Sequence, residues 1–573
     1  MHALKRKLSQ LCADPVLRAW LFRRALSLQP APPPFAPHLP PYLWDMLPLE
    51  SPHAAWPDTG TRIADAPVSP PVTLPLAGIE ITFDPKNPDA FFDQPVPDIE
   101  VDLARHRFAW LPMCPGISAS VFDQCWQTWR RRFMADDTTQ DGMHWHPYTV
   151  AERAINIIDA SCRMGLPCAP EDLAAVLARH AVIISERLEY DGDHDTSNHL
   201  ANNGRGLYRI GCALGDDATR RLGFQILTHE ATRIFLPGGT LREGSSHYHL
   251  LYLRNYLDVW FAAARHGHDT DAATLRAIAG ELMEAARHLV LPGGLPCIGD
   301  ISPDCPPSFL SGLETGKGAW AATLDPNDRE RLTSLSDIVD IPATEPSLRD
   351  GWLRAAFGRW SALAHVPEAG WPFMPGHAHQ DMGSAEVHLD GEPLFVDPGR
   401  GCYGEEGDAA LYRSAAVHGT LRLDGADPYP PNKPYYDDAF RARHAGPAAA
   451  MTHADGFTIA HGGYRRLGAD DVRRRWHFDE TGFRIEDGIS GNSKSRHAHT
   501  IERALVTPLD VRIDKGAAII DGRIAVNCQD AEPRLDNVTV WQAYHTGTPA
   551  TRIVFETRAK LPWSGVITVR EIA

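Results

Sequence analysis

The spacing of apolar residues changes period once along this chain, and that change limits what it can fold into. From about Ile117 to Thr333 the apolar positions recur at helical spacing, with Ala151, Ile155 and Ile158 on one face and Leu173, Val176, Leu177 and His180 on another. The pattern predicts helices over 118–134, 148–164, 170–187, 198–214, 216–235, 243–266 and 271–290, separated by turns such as Gly165-Leu166-Pro167 and Pro237-Gly238-Gly239. After about Arg349 the period falls to two. Short strands are predicted at 355–364, 385–389, 393–396, 419–423, 457–460, 474–478, 482–487 and 566–569, with Gly and Asp at the turns. Helices first and strands second make an α+β multidomain protein whose C-terminal part is an antiparallel β-sandwich. Successive antiparallel helix pairs either close into a toroid or stack as a solenoid, and periodicity leaves both open.

With 573 residues the chain exceeds a single core, and we expect an N-terminal arm over 1–75, a helical domain over 76–345 and a β-domain over 346–573. The arm begins with the basic Lys5-Arg6-Lys7 and carries two proline-rich stretches, Gln29 to Pro34 and Ala66 to Pro75, which read as linker or as an arm laid over another surface. Just beyond it, Ile79 to Phe83 reads as a short strand.

A net charge of −17 disfavours a nucleic-acid or anionic-membrane partner, and it favours a carboxylate-bearing polysaccharide over a densely sulfated one. The ten cysteines form no C-x-x-C pair, which argues against thiolate zinc and a disulfide framework. Asp14, Arg18 and Arg23-Arg24 interrupt any apolar leader, so the expected location is cytoplasmic, with a periplasmic one as the alternative. The sequence leaves a monomer and a homodimer both open.

Chemistry-bearing residues concentrate between Gly376 and Leu423. His377 and His379 precede one predicted strand, Asp390-Gly391 is a hairpin signal, and Asp397 follows the partner strand, so His379 and Asp397 are expected to be neighbours. His418 opens a further strand and Asp381 lies between. Two imidazoles and a carboxylate suit a zinc ion; the bland alternative is a set of polar residues bonded to one another at strand ends. In the helical half, Ser197-Asn198-His199 stands at a helix start, where the bland alternative is a simple N-cap. The run Arg242 to His249 contains Glu243, Ser245 and Tyr248; Tyr248 taken alone reads as core.

These segments together resemble the heparinase II/III family of polysaccharide lyases. The resemblance rests on His377-x-His379-x-Asp381, Asp397-Pro398-Gly399 with Tyr403, Arg413-Ser414 with His418-Gly419-Thr420, Asn198-His199, Glu243-x-Ser245-x-x-Tyr248-His249, and Trp145-His146-Pro147-Tyr148 with Glu152-Arg153. Gly419 departs from the asparagine usual after that histidine. The resemblance implies an incomplete (α/α) toroid followed by the β-sandwich, and cleavage of a 4-linked uronate by β-elimination. It implies Asn198 and His199 on the substrate carboxylate, Tyr248 and His377 as acid and base, and a structural zinc on His379, Asp397 and His418. Trp145, Tyr148, Glu243, Tyr403 and Arg413 are the implied substrate contacts. Two other classes stay open: a glycosidase pairing Glu243 with Asp300 or Asp381, and a non-catalytic polysaccharide-handling protein.

Overall fold

The structure is a computed structural model that describes residues 8, 11–12, 14–29, 38–50, 52, 55–56, 61–63, 70–134, 142–340, 345–491 and 497–572. The helical part is built from α1 (Ile99–Arg107), α2 (Ala119–Phe133), α3 (Pro147–Met164), α4 (Pro170–Glu186), α5 (His199–Leu214), α6 (Asp217–Ile234), α7 (Ser246–Arg265) and α8 (Asp269–Leu289). Neighbours in sequence pack against one another, α5 on α6 and α7 on α8, and α3 also packs on α5. Small residues let α5 and α6 approach closely: a Cβ on Gly223 would lie 2.3 Å from the Tyr208 nitrogen, and one on Gly211 would lie 2.3 Å from that of Arg220. Both α5 and α7 are buried over almost their whole length, as expected for helices that line the inside of a ring. Among the described residues no helix is long and apolar enough to cross a membrane.

The β-part opens with a five-stranded antiparallel sheet of β1 (Ser347–Arg349), β2 (Trp352–Phe357), β3 (Trp360–His365), β4 (Glu386–Leu389) and β5 (Glu392–Phe395), paired in chain order. The strand predicted at 355–364 is thus a hairpin turning at Gly358, with Phe357 opposite Trp360. Between β4 and β5, Asp390 and Gly391 both take positive φ, 53° and 83°, which a two-residue hairpin turn of the primed type requires. The next strand, β6 (Leu421–Leu423), joins a four-stranded sheet, and an eight-stranded sheet completes the domain. One apolar core draws on all three sheets through residues such as Trp360, Val387, Phe457, Trp476, Leu505 and Phe555.

Of the two readings of the N-terminal region, the described residues show an arm laid over the β-domain. The Gln29–Pro34 stretch lies almost wholly outside the described residues, as does Lys5-Arg6-Lys7. The second proline-rich stretch ends in a strand, Val72–Leu76, paired with Ile79–Phe83. Upstream, the helix Pro15–Ala25 is capped by Asp14 and buries Val16 and Trp20 in the β-domain core, with the Trp20 ring 4.5 Å from that of Tyr435.

Candidate active site

Loops from the two halves meet through their backbones before any side chain is considered. The His377 amide donates to the Glu243 carbonyl at 2.8 Å, and the Asp300 amide to the His377 carbonyl at 2.9 Å. Gly244 makes the approach possible: its φ is +73°, and a Cβ there would stand 2.7 Å from both Ala378 and His365.

Asn198 occupies the N-cap position of α5, yet its side chain caps nothing. Ser197 Oγ accepts the His199 amide at 3.3 Å, and the Asn198 amide group is turned across the domain junction. Its Nδ2 donates to Glu243 Oε2 at 2.6 Å and lies 3.2 Å from His377 Nε2, while Tyr252 donates to its Oδ1 at 2.8 Å. Ser245 caps α7 by accepting the Tyr248 amide at 3.1 Å, which places the Tyr248 ring at the first turn. That ring stacks on His377, with centroids 3.6 Å apart and planes at 15°. The Tyr248 hydroxyl shares a 2.5 Å hydrogen bond with the Tyr403 hydroxyl, which also donates to the Ile301 carbonyl. Burial pushes the Tyr248 phenol well above its ordinary range, against a lowering influence of the Tyr403 bond, so it stays protonated at neutral pH.

Asp300 joins the two groups of histidines. Its carboxylate meets His377 Nδ1 at 3.1 Å, His379 Nε2 at 2.9 Å and the Arg400 guanidinium at 3.1 and 3.2 Å. Burial favours the neutral acid here, but these three donors outweigh it and hold the carboxyl well below its usual range. His377 thus turns Nδ1 toward Asp300 and Nε2 toward Asn198 and, at 3.3 Å, Glu243.

His379, Asp397 and His418 are all buried, and one ligand atom from each lies within 4.8 Å of the others. The hydrogen bonding around them suits a metal. His379 gives Nε2 to Asp300, and its buried Nδ1 has no partner among the described residues; His418 gives Nε2 to the Tyr412 carbonyl at 3.0 Å and turns Nδ1 to Asp397 at 2.8 Å. Each imidazole thus commits one nitrogen to an outer acceptor and leaves the other for an ion, as metal-ligating histidines do. Although burial opposes it, the Asp397 carboxylate raises the His418 imidazole to about 9. Asp381, also buried, is pushed up to about 7 by burial and by the charge of Asp397.

On the helical side, His199 Nδ1 bonds Glu189 at 2.7 Å and its side chain is 44% exposed. Burial lowers its affinity for a proton, but the Glu189 carboxylate more than reverses this, and the net shift is upward. Its ring lies 4.7 Å from that of Tyr148, whose hydroxyl donates to Asp304 at 2.5 Å. A cavity of about 570 Å³ opens beside Glu189, lined also by His146 and Ser197.

Three expected substrate contacts are placed elsewhere. Trp145 ends the short 3-10 turn Met143–Trp145 ahead of α3 and is buried in an aromatic cluster with Trp129, His180 and Arg153, so it serves packing. Glu243 is 1% exposed and both its oxygens hold Asn198, so it positions that residue. Arg413 lies at the surface, 3.6 Å from Glu405. The proposed glycosidase pair of Glu243 and Asp300 is likewise committed, one carboxylate on each side of His377. Sequence reasoning gave no role to Arg400, Glu189 or Asp304, and cast Asp300 only as that pair's second acid; the adjacency of Arg400 to Asp397-Pro398-Gly399 was the one signal available.

Residues 348–564 match the family model "Heparinase II/III-like, C-terminal". No curated protein sequence matches the chain. Among solved structures the chain is similar to a heparinase III, with 16% identity, 82% of this chain and 76% of that chain covered, and a TM-score of 0.60. It is also similar to a heparan sulfate lyase HepC mutant from Pedobacter heparinus, at 17% identity, 83% and 77% coverage and a TM-score of 0.56. A second heparinase III, the BT4657 gene product, aligns at 17% identity over 84% of this chain and 80% of that chain, with a TM-score of 0.57. At such identities these likenesses speak for the fold, a helical toroid followed by a β-domain. Residues 348–564 are thus a heparinase II/III-like C-terminal domain, set in a fold shared with these lyases.

Proposed function

We propose that this protein is a polysaccharide lyase that cleaves a 4-linked uronic acid by β-elimination. The observation that carries the reading is the meeting of Asn198, Tyr248 and His377 at one point, supplied by two different domains. Elimination removes a proton α to a carboxylate, so the site must hold that carboxylate, take the C5 proton and protonate the leaving oxygen. His199, its charge favoured by Glu189, pairs with the uronate carboxylate, and the Asn198 amide donates to it as negative charge builds up. His377 Nε2 takes the C5 proton, its tautomer set by Asp300 on Nδ1. The C5–H electrons form the C4–C5 double bond and the C4–O4 bond breaks. Tyr248, protonated and bonded to Tyr403, gives its proton to O4. The neighbours' named activities on heparan sulfate and heparin support an acidic glycosaminoglycan as the substrate class.

The metal belongs to this reading as a structural zinc. His379, Asp397 and His418 would hold it, and its role would be to fix the loop that carries His377 through the His379–Asp300–His377 chain of hydrogen bonds. The test is product mass from a defined uronate tetrasaccharide. Elimination is supported when the fragment carrying the cleaved uronate at its non-reducing end is one water lighter than its hydrolysis counterpart, and refuted when both fragments have the hydrolysis masses.

A further inference from the structure

A second cavity, of about 390 Å³, lies within the helical domain away from the site just described. It is lined by residues from the C-terminal half of α3, from α5, from α7 and from the segment around Trp320 to Asp328. Its α7 residues run from Arg254 to Arg265, and Phe261 is thirteen residues beyond Tyr248, about 20 Å along the helix axis. The volume falls in the range of small-molecule sites.

Its charged groups are all accounted for except one. Arg205 is held by Glu152 at 2.7 Å and by Asp258 at 2.8 Å, and Arg209 bonds both Asp258 and Asp159. Arg265 lies 3.5 Å from Asp328, and Arg163 donates to the Leu111 carbonyl. Arg254 is 7% exposed, its Nε has no acceptor, and among the described residues it has no hydrogen-bond or ion-pair partner. The buried Nε without an acceptor is costly, and the terminal nitrogens, paired with no described residue, are left to face the cavity that Arg254 lines. Asp258, one turn away on the same helix, cannot supply it, since both its oxygens are engaged.

The rest of the lining narrows the ligand. Asp159 is half exposed and Asp325 accepts only local backbone donors and a distant Arg265, so both offer acceptors to hydroxyl groups. Bare phosphate carries more negative charge than a single carboxylate and lacks the set of hydroxyl donors that these aspartates could accept from. Trp320 and Phe261, stacked with planes at 15°, form an apolar wall. We propose that this cavity binds a small polyhydroxylated carboxylate, a single sugar acid, whose carboxylate accepts from Arg254 and whose hydroxyls donate to the aspartates. The proposal goes beyond the lyase reading and stands without it.

The test is calorimetric titration of the full chain with D-glucuronate, D-glucose and inorganic phosphate. Saturable glucuronate binding, at least tenfold weaker glucose binding and no displacement by phosphate are expected. Arg254→Met should abolish the binding while leaving the unfolding temperature of the ligand-free protein unchanged or higher, because it removes an unpaired buried charge. His199→Ala should leave the binding intact. Absence of saturable binding, retention in Arg254→Met, loss only in His199→Ala, equal binding of glucose, or displacement by phosphate would each overturn the proposal. Should Arg254→Met fail to fold, a crystal of the wild-type chain soaked in glucuronate decides: the carboxylate lies on Arg254, or the assignment is wrong.

Discussion

Replacing Asp300 by asparagine probes stability, metal and chemistry together. The carboxylate accepts from His377, His379 and Arg400, and Arg400 is 4% exposed, so the substitution leaves a buried guanidinium facing a neutral amide. Charged hydrogen bonds contribute about 1.5–3 kcal/mol each, and breaking a buried pair on one side costs about 3–5 kcal/mol; the second figure sets the total because the bonds share one charge. We therefore expect a stability loss of about 3–5 kcal/mol by denaturant unfolding. An asparagine offers one acceptor oxygen and one amide donor, so it can satisfy the N–H of His377 or of His379 but meets the other with a donor. If His377 turns over, its Nε2 loses the lone pair that takes the C5 proton, and kcat falls by about 10²–10⁴-fold, the usual worth of a positioned base. If His379 turns over, its Nδ1 is protonated and metal affinity drops by about 10–100-fold. Activity per folded molecule and metal content are therefore read on the same preparation. A variant with kcat within about threefold of wild type and full metal content would refute the role given to Asp300.

Three further outcomes are expected. Because Glu189 raises the His199 imidazole above its ordinary 6.5, His199 is charged below that raised value and loses its charge as pH rises through it; kcat/KM on a uronate substrate should fall across that limb, and Glu189→Gln should move the limb to lower pH. An unmoved limb in a pH–rate profile would assign it to another group. Chelation with a strong zinc ligand should lower the thermal unfolding midpoint and release one metal per chain by atomic absorption, and activity should return on adding zinc; a chelated protein with unchanged midpoint and activity would remove the metal from the account. Trp145→Ala should cost about 3–5 kcal/mol in stability with KM nearly unchanged, as for a buried tryptophan that touches no substrate; a large rise in KM at unchanged stability would restore it to the binding surface.

Those parts of the molecule that repeat locally were legible in the sequence. The switch from helical to alternating spacing marks the domain junction, because burial of one face imposes its period on the residues. Asp390-Gly391 marked the β4–β5 turn for the same kind of local reason, the need for positive φ. That turn brings Asp397 back toward His379, which is why the His379, Asp397 and His418 grouping could be anticipated. Asp300, Arg400 and Glu189 lie in loops or at a helix-to-loop connection with no period, and they acquire meaning only when the two domains meet. Asn198 shows the reverse problem: its position is that of an N-cap, and only the structure reveals that its side chain is released from capping by Ser197. Trp145 sits in a segment that resembles a family motif, yet its environment is the aromatic core; such a resemblance marks a common architecture as readily as a common contact.

The most direct test of the account is ultraviolet absorbance during incubation of the protein with a panel of uronate polymers and oligomers, wild type beside Tyr248→Phe. The account predicts a rise from the conjugated unsaturated uronate with wild type and a rate lower by about 10²-fold or more in the variant, whose fold should be intact since only the bond to Tyr403 is lost. New reducing ends without any rise in absorbance would contradict elimination, and an undiminished rise in the variant would remove Tyr248 from the chemistry.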